Sequence, residues 1–142
     1  MLRQGYRVTP TDGSPEMVRQ AERRLKRPVA VLEFGEIDGE ARFDGVWASA
    51  CLLHAPVAYL GDIISRIHRV LNSPGILFAN FKEGAAEGRD GFGRYYNYPS
   101  PAVLRETFQQ AAPWASLKIE RSSGQGYDGA PVVWLNCTAV KC

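Results

Sequence analysis

The sequence predicts an α/β fold, a mostly parallel sheet ending in an antiparallel hairpin, and three observations carry that reading. Short runs rich in strand formers alternate with stretches whose apolar residues recur at helical spacing. Val46 to Ala48 and Ile76 to Phe81 are apolar runs of the kind found in strands covered on both faces. Trp114 to Arg121 and Val132 to Val140 are joined by the turn-rich link Ser122 to Pro131, which suits a hairpin.

Leu2 to Gln4 followed by Gly5 reads as the last turn of a helix with glycine just past its end, or as a short disordered lead. The first of these makes Met1 begin partway through a fold. Tyr6 to Asp12 alternates as a strand, with Pro10 favouring an edge because it lacks a ladder donor. Gly13-Ser14-Pro15-Glu16 then starts a helix, with Ser14 as cap and Pro15 at the first helical position, and Val18, Ala21 and Leu25 follow at helical spacing. Val29 to Phe34 is the next strand, before a polar loop through Glu40.

Phe43 to Ala48 is the third strand. Val57, Leu60, Ile64, Ile67 and Leu71 mark one face of a long helix, which Asn72-Ser73-Pro74-Gly75 is expected to end. Ile76 to Phe81 is the fourth strand. Lys82 to Tyr98 is a glycine-rich loop whose length reads as a lid or as disorder, and its tyrosines argue for the former. Ser100-Pro101 starts a helix with Leu104, Phe108 and Ala111 on one face, and there is no internal repeat.

A chain of 142 residues, 45% hydrophobic, is long enough for one well-filled core, so residues 1–142 are read as one domain. A formal charge of +2 is too small to argue for nucleic acid, and the basic run Arg19 to Arg27 reads as a solvated helix face. Cys51, Cys137 and Cys142 are odd in number with no C-x-x-C spacing, which fits a reducing cytoplasm and assigns no metal. His54, Pro56 and Asp62 interrupt the most apolar region, so no membrane span is expected.

Candidate chemistry concentrates where strands end. Phe43 to His54 runs from a strand into the small residues Ser49, Ala50 and Cys51, which let a ligand approach the backbone, or which form a structural turn. With Ser14 capping the helix, Asp12 either offers its carboxylate to two hydroxyls or closes an Asp-Gly turn. His54 is the candidate general base, histidine being the side chain that ordinarily titrates near neutrality, or else a structural group at a helix start. Arg89, Arg94, Tyr95 and Tyr96 either close over an anionic ligand or form a solvated loop. His68 reads as a helix-surface residue.

Three stretches carry a family imprint: Gly5 to Met17, Phe43 to Pro56 and Arg69 to Leu77. On them the chain resembles a class I S-adenosylmethionine-dependent methyltransferase, and the loop through Gly93-Arg94-Tyr95-Tyr96 resembles a tellurite-resistance-like small-molecule subgroup. The resemblance implies a Rossmann-like sheet, S-adenosylmethionine as cofactor and a small-molecule methyl acceptor. By it, Asp12 holds the ribose hydroxyls with Gly13 and Ser14 beside it. Glu33 and Phe34 line the adenine, Ser49, Ala50, Cys51 and Leu52 border the methionine part, and His54 faces the acceptor. The family's first strand and its glycine-rich turn have no counterpart in the sequence, so the domain reads as N-terminally truncated. Two strands would then be left with open edges, so the sheet is expected to pair them directly or to be completed by a second copy. The alternative to an active enzyme is a non-catalytic, methyltransferase-like protein acting as a dimer or binding partner. A nicotinamide-dependent enzyme using Asp12 is a third reading.

Overall fold

Local chemistry sets most element boundaries. The computed structural model describes residues 1–142 apart from the Leu2 side chain, and the chain divides into two compact units, Met1–Ile37 and Asp38–Cys142. In the first unit, a 3-10 turn over Leu2–Gln4 is followed by Gly5 at φ +85°, the left-handed conformation that glycine tolerates. Strand β1 (Thr11–Asp12) precedes helix α1 (Pro15–Leu25), whose cap Ser14 accepts from Met17 N at 3.4 Å with Pro15 at the first position. Lys26 at φ 52° closes the helix, its N–H donating to Glu22 O. Strand β2 (Ala30–Val31) runs parallel to β1, pairing Thr11 with Ala30 and Asp12 with Val31.

These two strands are much shorter than the expected Tyr6–Asp12 and Val29–Phe34. Pro10 contributes no donor and only its carbonyl joins the ladder, accepting from Ala30 N at 3.1 Å. Among the described residues β1 pairs with β2 alone. Direct pairing of β1 with the Phe43 strand does not occur.

The second unit holds β3 (Phe43–Ala48), α2 (Val57–Val70), β4 (Leu71–Lys82), the small hairpin β5 (Gly88–Arg89) and β6 (Tyr95–Tyr96), α3 (Pro101–Ala111), β7 (Trp114–Gln125) and β8 (Pro131–Lys141). Its sheet order is β3-β4-β8-β7. β3 and β4 are parallel, and β8 is antiparallel to both β4 and β7. Three strands therefore run one way and β8 alone runs against them.

One sheet face forms the core. Leu77, Ala79 and Phe81 oppose Ala139, Cys137 and Leu135, and all six are fully buried. α2 packs on β4 and α3 on β7, with the two helices in contact, contributing buried Leu60, Ile64, Ile67, Leu104 and Phe108. Each such large side chain stabilises by roughly 1.5–3 kcal/mol. The other face is open in this chain: Trp47 is 58% and Ile76 48% exposed, and the Trp47 ring stacks on Phe78 at 4.1 Å. The expectation that β3 is covered on both faces is thus corrected.

The helix also ends earlier than Asn72-Ser73-Pro74-Gly75 suggests. Leu71 is fully buried and already pairs with Phe43, residues 72–74 bulge out, and pairing resumes at Gly75 with Lys141 of β8 and at Ile76 with Gly45 of β3. A Cβ on Gly75 would lie 2.5 Å from Asn72 O, so the bulge requires glycine there. Among the described residues no helix is long and apolar enough to cross a membrane.

Candidate functional site

Parallel β3 and β4 bring their carboxyl ends together, the place where open α/β sheets bind ligands. The chain leaves β3 through exposed Ser49, Ala50 and Cys51. Ala50 has φ 51° and its N–H donates to Asn80 Oδ1 on β4 at 2.6 Å, so this exit is locked to the neighbouring strand. Ala50 shares this uncommon left-handed conformation with Lys26, Ala41 and Tyr98. Leu52 differs from its three neighbours: its side chain is 1% exposed and its carbonyl accepts from Asn97 Nδ2, so it belongs to the core.

A 3-10 turn over Leu52–His54 follows. Asn97, 2% exposed, fastens it by donating from Nδ2 to Leu52 O at 2.9 Å and Ala55 O at 3.1 Å, and from its backbone N to Leu53 O at 2.9 Å. His54 is exposed, with Nδ1 2.8 Å from Tyr95 O. A carbonyl oxygen only accepts, so Nδ1 carries the proton and Nε2 presents a lone pair. The turn therefore supplies a histidine in the tautomer a base needs.

Beyond β4, the hairpin β5–β6 orders the loop expected to act as a lid. Asp90, with a side chain 5% exposed, accepts from Arg94 Nε at 2.8 Å, Arg94 Nη2 at 2.6 Å and the backbone N–H groups of Phe92 and Arg94. Burial alone would raise the Asp90 carboxyl, but the Arg94 and backbone hydrogen bonds outweigh it and hold it below the usual range. Arg94 lies over the Tyr127 ring at 4.7 Å, and Arg89 Nη1 donates to Gly93 O at 2.6 Å. The two arginines proposed for an anion are thus engaged within their own loop.

Tyr95 donates its hydroxyl to Glu87 and accepts from Val57 N at 3.2 Å. Tyr96 is 3% exposed, its ring 4.6 Å from the His54 ring and 5.3 Å from Tyr98. Burial pushes both phenols up, so each stays protonated. Lys82, 6% exposed, sets its ammonium 4.1 Å from the centre of the Tyr96 ring. Sequence reasoning assigned no role to Lys82, Asn80 or Asn97. A lysine at a strand end, an asparagine inside a strand and one between tyrosines give no signal until the fold shows the burial of Lys82 and Asn97 and the bond of Asn80 to Ala50.

The remaining candidates lie in the first unit. Asp12 is exposed at the end of β1; its Oδ1 accepts from Ser14 N at 2.8 Å, which forms the Asp-Gly turn and leaves Oδ2 exposed. The Asp-Gly turn reading of Asp12 holds, and its second oxygen takes no part in that turn. Ser14 Oγ is taken up by the helix cap. A Cβ on Gly13 would lie 3.9 Å from Glu33 Cα, placing the two strand ends side by side. Glu33 forms a reciprocal capping box with Glu36, whose Oε2 accepts from Glu33 N at 2.8 Å, while Phe34 is half-buried. Among the described residues Gly124, Gly126 and Gly129 have the G-x-G-x-x-G spacing, but they sit at the β7–β8 hairpin, with Gly126 N donating to Ala130 O, rather than between strand and helix.

A groove of about 500 Å³ between α2 and α3, lined by Ala58, Asp62 and Gln110 among others, lies away from the strand ends, and its acid pairs with Arg66. No cluster of three or more metal-ligating side chains occurs among the described residues.

A mixed sheet in this order, with helices on one face and a ligand-accessible strand end, defines a Rossmann-like fold of the class I methyltransferases. Residues 1–79 match the model of the methyltransferase domain family, and the chain belongs to that family. Among solved structures it is similar to 1,6-didemethyltoxoflavin-N1-methyltransferase of Burkholderia thailandensis, which holds 1,6-didemethyltoxoflavin and S-adenosylhomocysteine. That match has 27% identity and a TM-score of 0.73, covering 99% of this chain and 63% of that one. It is similar in fold to an S-adenosylmethionine-dependent methyltransferase of Methanosarcina mazei (16% identity, TM-score 0.76, 97% of this chain, 83% of that one). The magnesium protoporphyrin IX methyltransferase of Synechocystis PCC 6803, with bound S-adenosylmethionine, also shares the fold (17% identity, TM-score 0.65, 99% and 62%). The chain thus spans less than two thirds of the first of these proteins. No curated protein matches it.

Proposed function

We propose that the chain is an S-adenosylmethionine-dependent methyltransferase domain acting on a small molecule. The observation that carries this reading is the family match over residues 1–79, which includes both Asp12 and the β3 exit with His54. Because it runs across both compact units, it also supports treating residues 1–142 as one domain.

The residues fit the cofactor in part. The exposed Oδ2 of Asp12 is an acceptor suited to a ribose hydroxyl, and the exposed backbone of Ser49, Ala50 and Cys51 offers close approach to the methionine portion. Phe34 offers a half-buried ring for adenine, with Glu33 tied to Glu36 beside it. The cofactor supplies an activated methyl group, and the protein supplies alignment and exclusion of water. His54 Nε2 takes the proton of an acceptor that must lose one, and Tyr95 keeps the imidazole in the required tautomer. The loop through Gly93 to Tyr96 supports placing the acceptor side in the tellurite-resistance-like small-molecule subgroup, and the odd, unpaired cysteines support a cytoplasmic setting.

Calorimetric titration with S-adenosylmethionine and S-adenosylhomocysteine tests the reading. Binding is expected, weakened about 10- to 100-fold by Asp12→Ala through loss of a charged hydrogen bond. No heat at millimolar ligand would sink it. Methylation unchanged in His54→Ala would remove the base assignment alone.

A second reading, in which the chain acts as a dimer or binding partner, draws on the open sheet face. β3 pairs on one edge only among the described residues, and exposed Trp47 and Ile76 lie beside it, so a second copy is proposed to complete the sheet. A monomer by light scattering at high concentration would exclude it.

A further inference from the structure

Lys82 is the only charged residue that is buried as a whole among the described residues. It ends β4, opposite Trp134 of β8. Its ammonium has neither a hydrogen-bond acceptor nor an ion-pair partner among the described residues, and only the Tyr96 ring, 4.1 Å away, faces it. The stem of the side chain is covered while Nζ itself keeps contact with solvent, so the ammonium stays open to a ligand. Of the acids around it, Glu83 is held by Arg121 at 2.7 Å and Asp90 by Arg94 at 2.6 Å. Asp128 Oδ1, which accepts from Ala130 N at 3.2 Å, lies 2.5 Å from the Cβ position of Gly126 and Lys82 Nζ 3.3 Å from it, so this carboxylate neighbours the ammonium without pairing with it.

The position of this ammonium matters as much as its lack of partners. The Tyr96 ring that faces Lys82 also lies 4.6 Å from the His54 ring, so cation and candidate base border the same tyrosine. We propose that Lys82 is the anion-recognising residue of the acceptor site, and that the methyl acceptor carries an oxyanion, a carboxylate or phosphate monoester, that docks on its ammonium. Only the word acceptor rests on the methyltransferase reading; the anion site itself stands without cofactor. Arg89 and Arg94 do not take this role, because their guanidinium groups bind Gly93 O and Asp90.

The test titrates the whole chain, without cofactor and at constant ionic strength, with inorganic phosphate and with benzoate, following thermal unfolding. One of the two anions is expected to stabilise the wild type saturably. The effect should weaken at least tenfold in Lys82→Met and survive in Lys82→Arg. Equal responses of wild type and Lys82→Met, or no saturable response to either anion, would overturn the proposal. If Lys82→Met does not fold, the Lys82 Hε–Cε resonance of the wild type decides: a saturable anion-dependent shift supports the site, and its absence overturns it. S-adenosylmethionine binding is read separately, so failure of one reading is not failure of the other.

Discussion

Asn97→Ala is the perturbation that most directly probes how the His54 turn is built. The side chain is 2% exposed and donates to two carbonyls, Leu52 O and Ala55 O, while its Oδ1 is buried without a partner. Alanine keeps the backbone bond to Leu53 O, and Leu52 O keeps the Ala55 N–H at 3.1 Å, so the substitution strands Ala55 O at about 1–3 kcal/mol, weakens the hold on Leu52 O, and removes the unpaired Oδ1, which returns part of that cost. The net loss expected is about 1–2 kcal/mol. With a urea slope of roughly 1–3 kcal/mol per molar, the unfolding midpoint should fall by about 1 M. Asn97→Asp should be worse than alanine at neutral pH, because an acceptor-only carboxylate would face two carbonyls, and partly recover in acid. If both variants stay within about 0.5 kcal/mol of wild type, Asn97 does not fasten the turn and the argument for an oriented His54 fails with it.

Three further outcomes are expected. His68 presents an Nε2 that is buried and unpaired, and its ring meets Trp114 edge-on at 4.8 Å; burial first, then the Lys141 ammonium, lowers it below 6.5 against the Pro113 carbonyl. A lowered folded value means that the unfolded chain binds the proton more readily, so its stability contribution is full above pH 6.5 and is lost as pH falls through the folded value. His68→Phe should flatten the fall in urea midpoint between pH 7 and pH 5; parallel curves would contradict this. The Cys137 thiol, pushed up to about 12 by burial, should resist a thiol reagent at pH 8 while exposed Cys51 and Cys142 react, giving two titratable thiols in the native chain and three in denaturant. Asp90, held low by its hydrogen bonds, should keep the β5–β6 hairpin until pH falls through its folded value, below the ordinary 3.8, as read from the Arg94 Nε–H resonance; a change near pH 5 would argue against it.

What the sequence made legible was local chemistry. β3 runs over the expected Phe43–Ala48, Ser14 and Ser100 cap the helices that Pro15 and Pro101 begin, and Gly5 takes its left-handed conformation after a helical turn. Asn72-Ser73-Pro74-Gly75 was read as a helix end because the residues that stop a helix also make a bulge. Only the pairing of Leu71 with Phe43 decides between them. The exposure of Trp47 depends on what lies over its sheet face, which no periodicity encodes. Asp90 and Arg94 are visible as opposite charges, but it takes the hairpin to fold one onto the other and remove the arginine from ligand binding. Lys82 was hidden for the converse reason: a lysine closing an apolar strand is ordinarily exposed, whereas the Tyr96 ring and the β7–β8 hairpin cover all but the tip of this one.

The place of β8 in the sheet has a bearing on how the protein comes to be made. This last strand, Pro131–Lys141, is inserted between β4 and β7, and Lys141 Nζ reaches back to the carbonyls of His68 and Leu71 at 2.8 Å each. During synthesis β3, α2 and β4 emerge first, with the β4 edge that β8 will occupy still bare. Until β8 leaves the ribosome, Leu77, Ala79 and Phe81 lack the Ala139, Cys137 and Leu135 they pack beside. The sheet of the second unit therefore closes only once β8 has been made, and until then the β4 edge is open to pairing with another chain.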